Sequence, residues 1–167
     1  MNVTRDTLGA VTAQASASID LSKGALYAQT FSLFGVAMWV ADGDPERVSA
    51  GLSDDELGDL AKRALGRSRK LATPPDSDAT KHWMESVARI AGRRTYRDFV
   101  RSVHEVSLDL RDTSITVAAS RRSRTRDGAG FEGIGTPAVL DAPTDEELGA
   151  AIRAAFEQCE PKGSLQA

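Results

Sequence analysis

Two segments of this chain echo one another, and each carries a glycine where a helix least tolerates it. Ser53-Asp54-Asp55-Glu56-Leu57-Gly58 and Thr144-Asp145-Glu146-Glu147-Leu148-Gly149 agree position by position in residue type, and Ala64 and Leu65 then match Ala155 and Phe156. Ser53 and Glu56 have capping-box spacing, and Thr144 stands as the N-cap of the second segment. Leu57, Leu60, Ala61, Ala64 and Leu65 fall on one helical face. Acids lead the first helix, and Lys62, Arg63, Arg67 and Arg69 trail it, which suits the helix dipole. A glycine inside a helix costs about 1 kcal/mol relative to alanine. Two at matched positions predict close packing against a neighbouring backbone. An echoed packing role with an ancient duplication behind it would account for the match. So would the general recurrence of strand, turn and capped helix.

The 167 residues suffice for one domain with a real core. With 41% hydrophobic and 27% charged residues the chain has the balance of a soluble globular protein. A formal charge of -3 gives no bulk attraction to nucleic acid or an anionic membrane, so direct nucleic-acid binding is not expected, local patches aside. The single cysteine, Cys159, cannot form an internal disulfide. No apolar run approaches the roughly 20 residues of a membrane span, and the N-terminus does not read as a secretory signal. Cytoplasmic residence is the default expectation.

Along the chain, the Ala/Ser/Thr-rich start suggests an arm or an edge strand. Ala25 to Val40 reads as one bent strand or a strand pair through the middle of a sheet, with Asp42-Gly43-Asp44-Pro45 as the turn that stops it. Helices are predicted over 53–67, 81–91, 95–103 and 144–159, with 71–80 as a Pro-containing connector. Val106, Leu108 and Leu110 alternate with polar residues, and after a short turn Ile115, Val117 and Ala119 do the same, so 104–120 reads as a β-hairpin. Residues 121–135 read as a polar, glycine-rich loop and 138–141 as a brief strand. The expected fold is α+β: one domain over 25–160, a largely antiparallel sheet packed by helices, with 1–24 an N-terminal arm or edge strand and 161–167 a tail. Leu57, Leu60, Leu148, Ile152 and Phe156 are expected in the core.

Gly128 to Gly135, GAGFEGIG, satisfies G-x-G-x-x-G. A dinucleotide site needs a buried strand before these glycines and a helix N-terminus after them. Here Arg121 to Asp127 precede and Thr136-Pro137 follow, so no nicotinamide or flavin binding is expected. His82 and His104 lack partners at metal-ligand spacing, so no metal site is expected. Cys159, at the end of the last helix, is expected to pack and not to act as a nucleophile. Asp54-Asp55 and Asp145-Glu146 stand in first helical turns, where capping and the dipole account for them. No catalytic constellation assembles. Arg121, Arg122, Arg124 and Arg126 form the main basic run; phosphate gripping is one use of it, a solvated loop the plainer one.

Several stretches together resemble a known family. "FGVAMWV" leads to "LSDDELGDLAKRALGRSR", then "RRTYRDFVRSVHEVSLDL" with "SITVAAS", then "GFEGIG" and "TDEELGAAIRAAFEQCE". The order is similar to that in immunity proteins of contact-dependent growth inhibition (CDI) systems, from about Phe34 to Glu160. Scattered positions carry it: Phe34-Gly35-Val36, Leu57-Gly58, Ser68-Arg69, Tyr96, Phe99, Gly130-Phe131 and Leu148-Gly149. The resemblance implies a non-enzymatic protein without cofactor. Its partner would be the C-terminal domain of a toxin delivered by neighbouring bacteria, commonly a nuclease and often one acting on transfer RNA. It would bind that domain one-to-one, over the active or substrate-binding surface. A nuclease presents a basic surface, which an inhibitor matches with carboxylates. Asp42, Asp44 and Glu46 in one predicted loop, with Asp76 and Asp78 in another, are the expected toxin contacts. An RNA-binding or regulatory module using Arg121, Arg122, Arg124 and Arg126 is the alternative, and a small enzyme with an unrecognised site the third.

Overall fold

The computed structural model describes residues 13–122 and 131–159. Its strands are β1 (Ala15–Ser22), β2 (Ala25–Phe34), β3 (Met38–Ala41), β4 (Glu46–Ser49), β5 (Lys70–Leu71), β6 (His104–Arg111), β7 (Ser114–Arg122) and β8 (Phe131–Asp141). The helices are α1 (Asp54–Gly66), α2 (Ser77–Ile90), α3 (Tyr96–Ser102) and α4 (Asp145–Gln158). One sheet runs in the order β3-β2-β1-β6-β7-β8, with β4 and β5 also paired to β2. Every pairing is antiparallel except β5 on β2. The α+β expectation holds.

The echoed segments are α1 and α4, and both open with a complete capping box. Each glycine meets the backbone of the other helix. A Cβ on Gly58 would lie 1.8 Å from the carbonyl oxygen of Asp145, and one on Gly149 would lie 1.9 Å from that of Asp54. Only a hydrogen fits there, so each glycine sets its Cα–H against the other helix's backbone. Ion pairs repeat the exchange. Lys62 reaches Asp145 at 2.6 Å and the Pro143 carbonyl at 2.8 Å. Arg153 reaches Asp54 and the Leu52 carbonyl. Each residue of one set is the sequence counterpart of a residue in the other, so the antiparallel helix pair has a local two-fold symmetry. The matched glycines thus have the shared packing role that their positions predict.

This pair covers one face of the sheet. Ala17, Ile19, Leu26, Val106, Leu108 and Val117 point into it and meet Leu57, Leu60, Leu148 and Ile152, all nearly sealed from solvent. Phe156 packs against the same cluster, partly buried. The opposite face is smaller in apolar content: Tyr27, Val87, Phe99, Val100 and Val103 cluster beneath α2 and α3, while Ser16, Ser18, Asp20, Gln29, Glu105 and Ser107 are buried there as polar groups.

Three expectations change, and one left open is decided. Residues 15–22, read as part of an arm or edge strand, form β1 between β2 and β6. Its small side chains do not signal weak packing; hydrogen-bond ladders on both sides hold the strand. The segment 25–40 is a strand pair, β2 and β3, folded back over Phe34↔Met38. The 71–80 connector is shorter than expected, because β5 takes 70–71 and α2 starts at Ser77. Of the 121–135 loop, Arg121 and Arg122 finish β7 and residues 131–135 belong to β8, while 123–130 lie outside the described residues. Gly135, at φ +66°, and Pro137 fall where the register with β7 shifts, and an edge strand tolerates both.

The helix crossing gives opposite signs for one substitution at different sites. Gly58→Ala and Gly149→Ala are each expected to lower unfolding free energy by about 3 kcal/mol, overpacking outweighing the gain in helix propensity. Gly66→Ala, with open space around it, is expected to be neutral or to stabilise by up to about 1 kcal/mol. Urea denaturation checks this; a neutral Gly149→Ala would show that the helices are free to separate. Ser53→Ala and Thr144→Ala are each expected to cost about 1 kcal/mol, read as a shift in denaturation midpoint at constant slope.

Candidate functional site

Asp42, Asp44 and Glu46 lie where the chain passes from β3 to β4 along the outer edge of β2. Two of them have intramolecular partners. Asp42 accepts from Arg69 Nε at 2.8 Å and from the Ser32 hydroxyl at 2.7 Å. Glu46 takes Arg63 at 3.0 Å and Arg67 at 3.4 Å. These carboxylates tie the strand edge to the end of α1 and the segment after it, a structural role that their loop placement in the sequence concealed. Asp44 is exposed, and its side chain has no partner among the described residues.

The second acidic group is at the N-terminus of α2. Asp76 is its N-cap, accepting from the Ala79 amide at 2.6 Å. Asp78 sits in the first turn, exposed and with no side-chain partner among the described residues. Helix α2 runs back along β2: Trp83 donates to Gln29 at 3.0 Å, and Val87 clusters with Tyr27 further down. Its acidic start therefore lies toward the β2–β3 turn, and β5, parallel to β2 at Leu33 and Phe34, delivers the chain to the same end. Val36 in that turn is 85% exposed and Met38 beside it 38%. Sequence reasoning missed these two, because an apolar residue inside an apolar run gives no sign of facing water.

Arg121, expected in a basic loop, pairs across strands with Glu132 at 2.6 Å. Arg122 is exposed at the end of β7, and Arg124 and Arg126 lie outside the described residues. Of the glycine pattern, Gly133 and Gly135 are inside β8, so an edge strand stands where a dinucleotide site would need a helix. Gly128 and Gly130 lie outside the described residues.

A small cleft opens between α2, α3 and the polar sheet face, floored by Ser18, Asp20 and Glu105 and walled by Phe31, Trp83 and Tyr96. It has room for only a few water molecules. Burial, and then the charges of Asp20 and Glu105, push the Tyr96 phenol well above its ordinary value, so it keeps its proton as a donor. Burial likewise raises the Cys159 thiol, against an opposing hydrogen bond from the Ser120 backbone and with the help of the Glu105 charge. A buried, protonated thiol is a packing group and not a nucleophile. His82 is exposed on α2, and no group of three metal-ligating side chains occurs among the described residues. No helix among them is long and apolar enough to cross a membrane.

The described residues thus form a sheet backed by a glycine-locked helix pair, with Val36 and Met38 exposed at the β2–β3 turn. The family model of the CDI immunity protein matches residues 15–159, so the chain belongs to that family. Two solved structures share the fold. A protein of unknown function from Neisseria meningitidis superposes with a TM-score of 0.73 at 21% identity, over 87% of this chain and 95% of that one. A CdiA-CT/CdiI toxin and immunity complex from Yersinia pseudotuberculosis gives 0.70 at 21% identity, over 87% and 97%. A search of curated proteins finds no match.

The Asp42 pair makes a pH prediction. The Arg69 hydrogen bond, resisted by burial and aided by Ser32, holds the carboxyl below its ordinary 3.8. A carboxyl lowered by folding contributes stability that is fully present above its unfolded value and is lost as pH falls through the folded one. Asp42→Asn should therefore be less stable than wild type near neutrality, with the difference shrinking below about pH 4. Denaturation midpoints across that range check it; a constant difference would refute the pairing.

Proposed function

We propose that this chain neutralises a CDI toxin by binding the toxin's C-terminal domain one-to-one. In this reading the toxin is a nuclease, of the kind that acts on transfer RNA, and the immunity protein covers its active or substrate-binding surface without catalysing a reaction of its own. Family membership is the observation that carries the reading. The toxin and immunity complex of the same fold supports it.

The proposed contact is the end of the molecule around the β2–β3 turn. Stable interfaces combine an apolar centre with a polar rim. Val36 and Met38 supply exposed apolar surface. Asp76 and Asp78 stand at that end, while Asp42, Asp44 and Glu46 line the adjoining strand edge. Asp44 and Asp78 are the stronger candidates for steering, because Asp42, Glu46 and Asp76 are partly spent on their own fold. Carboxylates at a rim raise the association rate toward a basic surface.

Co-expression with the toxin domain encoded beside it should yield a one-to-one complex and restore growth. Val36→Asp with Met38→Asp is expected to weaken the complex by at least tenfold, mainly through faster dissociation. Asp44→Asn with Asp78→Asn is expected to slow association severalfold and to flatten its salt dependence, with stability unchanged. Unaltered binding by both double variants would move the interface elsewhere. Growth that stays inhibited despite expression of the folded protein would reject the immunity reading itself.

A further inference from the structure

Helix α2 is about 21 Å long at 1.5 Å per residue, and its two ends differ in charge. Asp76 and Asp78 are at its start. At its far end, Arg89 is followed by Arg93 and Arg94 in the connecting turn and by Arg97 and Arg101 on α3. Lys23, in the β1–β2 turn, joins them, because Arg93 reaches across to Ser22 at 2.9 Å and Ser22 donates to Ser102 at 3.1 Å. Arg97 and Arg101 are one turn apart and share a helix face.

These cations differ from the paired ones elsewhere on the chain. Lys62, Arg63, Arg67, Arg69, Arg121 and Arg153 each hold a carboxylate. At this corner none of the six makes an ion pair with a described residue; Arg89 and Arg93 bond only to serine hydroxyls. The carboxylates on these elements near the corner are Glu85 and Asp98, and Asp98 is engaged by the Thr95 hydroxyl at 2.8 Å. A chain with net charge -3 thus concentrates positive charge at one place.

The composition of the patch selects its partner. Protein interfaces draw most of their binding energy from a few well-packed central residues, aromatic ones prominent among them. Among the described residues, the exposed large hydrophobic ones, Val36, Met38 and Val139, are all outside this corner. Phosphates need only charge and donors, and the guanidinium fork fits their oxygens two at a time. Tyr96 and Phe99 of α3 turn inward onto Trp83 and Tyr27, so no aromatic ring is offered for base stacking. We propose that the Lys23–Arg93–Arg101 corner binds the sugar–phosphate backbone of a nucleic acid without reading its sequence. The contact is separate from the β2–β3 end proposed for the toxin and does not depend on it.

The test is fluorescence anisotropy on the intact protein with labelled single-stranded RNA and DNA of matched sequence. Non-specific binding of this kind has dissociation constants of about 10⁻⁴–10⁻⁶ M at physiological salt, and holding about four phosphates weakens it on the order of fiftyfold between 50 and 200 mM salt. The triple variant Arg94→Gln, Arg97→Gln, Arg101→Gln should bind at least tenfold more weakly. Lys81→Gln, Arg111→Gln, Arg122→Gln removes the same charge from exposed sites elsewhere and should change binding less than threefold. Denaturation midpoints for both variants confirm that they fold. Equal binding of RNA and DNA supports backbone recognition, and a preference for RNA adds contact with the 2′-hydroxyl. Absence of binding at low salt, equal loss in the two triple variants, or displacement by polyglutamate of matched charge at the same concentration as nucleic acid would overturn the proposal. No toxin is used, so failure here leaves the immunity reading standing.

Discussion

The contact on which the rest of the structure depends is the mutual approach of Gly58 and Gly149 to the first-turn carbonyls of each other's helix. Because no side chain intervenes, α1 and α4 pack as a single slab. The exchanged pairs, Lys62 with Asp145 and Arg153 with Asp54, fix its register. A slab this close-packed can rest on a sheet whose central strand carries small side chains. That is the setting in which Ala15 and Ala17 are sealed core residues. The two-fold relation between the helices requires the same residue types at the same steps, which a repeated segment supplies.

The sheet divides the molecule chemically. Toward the helix slab it presents Ile19, Leu26, Val106, Leu108 and Val117, and burial there drives folding. Toward α2 and α3 it presents serines, Gln29, Asp20 and Glu105, sealed under a thinner aromatic layer. Buried polar groups demand hydrogen bonds, and Gln29 shows how they are met: its amide nitrogen donates to Thr30 and Gly43, while its oxygen accepts from Trp83. These bonds also set where α2 lies on the sheet. Helix α2 in turn places an acidic start beside the exposed β2–β3 turn and a basic end beside the β1–β2 turn.

Charge on this protein is therefore used in two ways. Along the edge of β2 and at the helix crossing it is paired, and there Asp42, Glu46, Arg69 and Arg153 serve the fold. Asp44 and Asp78 at one end, and Arg94, Arg97 and Arg101 at the other, are exposed and make no ion pair among the described residues. A scaffold held by paired charges and close packing can change its exposed ones at little cost in stability.

Local chemistry was legible in the sequence. The caps at Ser53 and Thr144, the 104–120 hairpin and the capped helices follow from residues a few positions apart, and the packing of each glycine against a neighbouring backbone follows from the match between the two segments. That no helix follows GAGFEGIG was legible too, from Thr136-Pro137, and Gly133 and Gly135 stand in β8. Three things were not. Strand β1 is central because β2 and β6 flank it, and β6 is some eighty residues away in the chain. Asp42 and Glu46 looked free because their arginine partners come from α1 and the segment after it. The basic corner was hidden within a net acidic chain, because Ser22, beside Lys23, meets Arg93 and Ser102 only once α2 and α3 dock on the sheet. Propensity, capping and periodicity act over one or two turns, so the sequence determines them alone. Strand order, charge pairing and which face meets water depend on contacts between distant segments, and only the packed chain decides those.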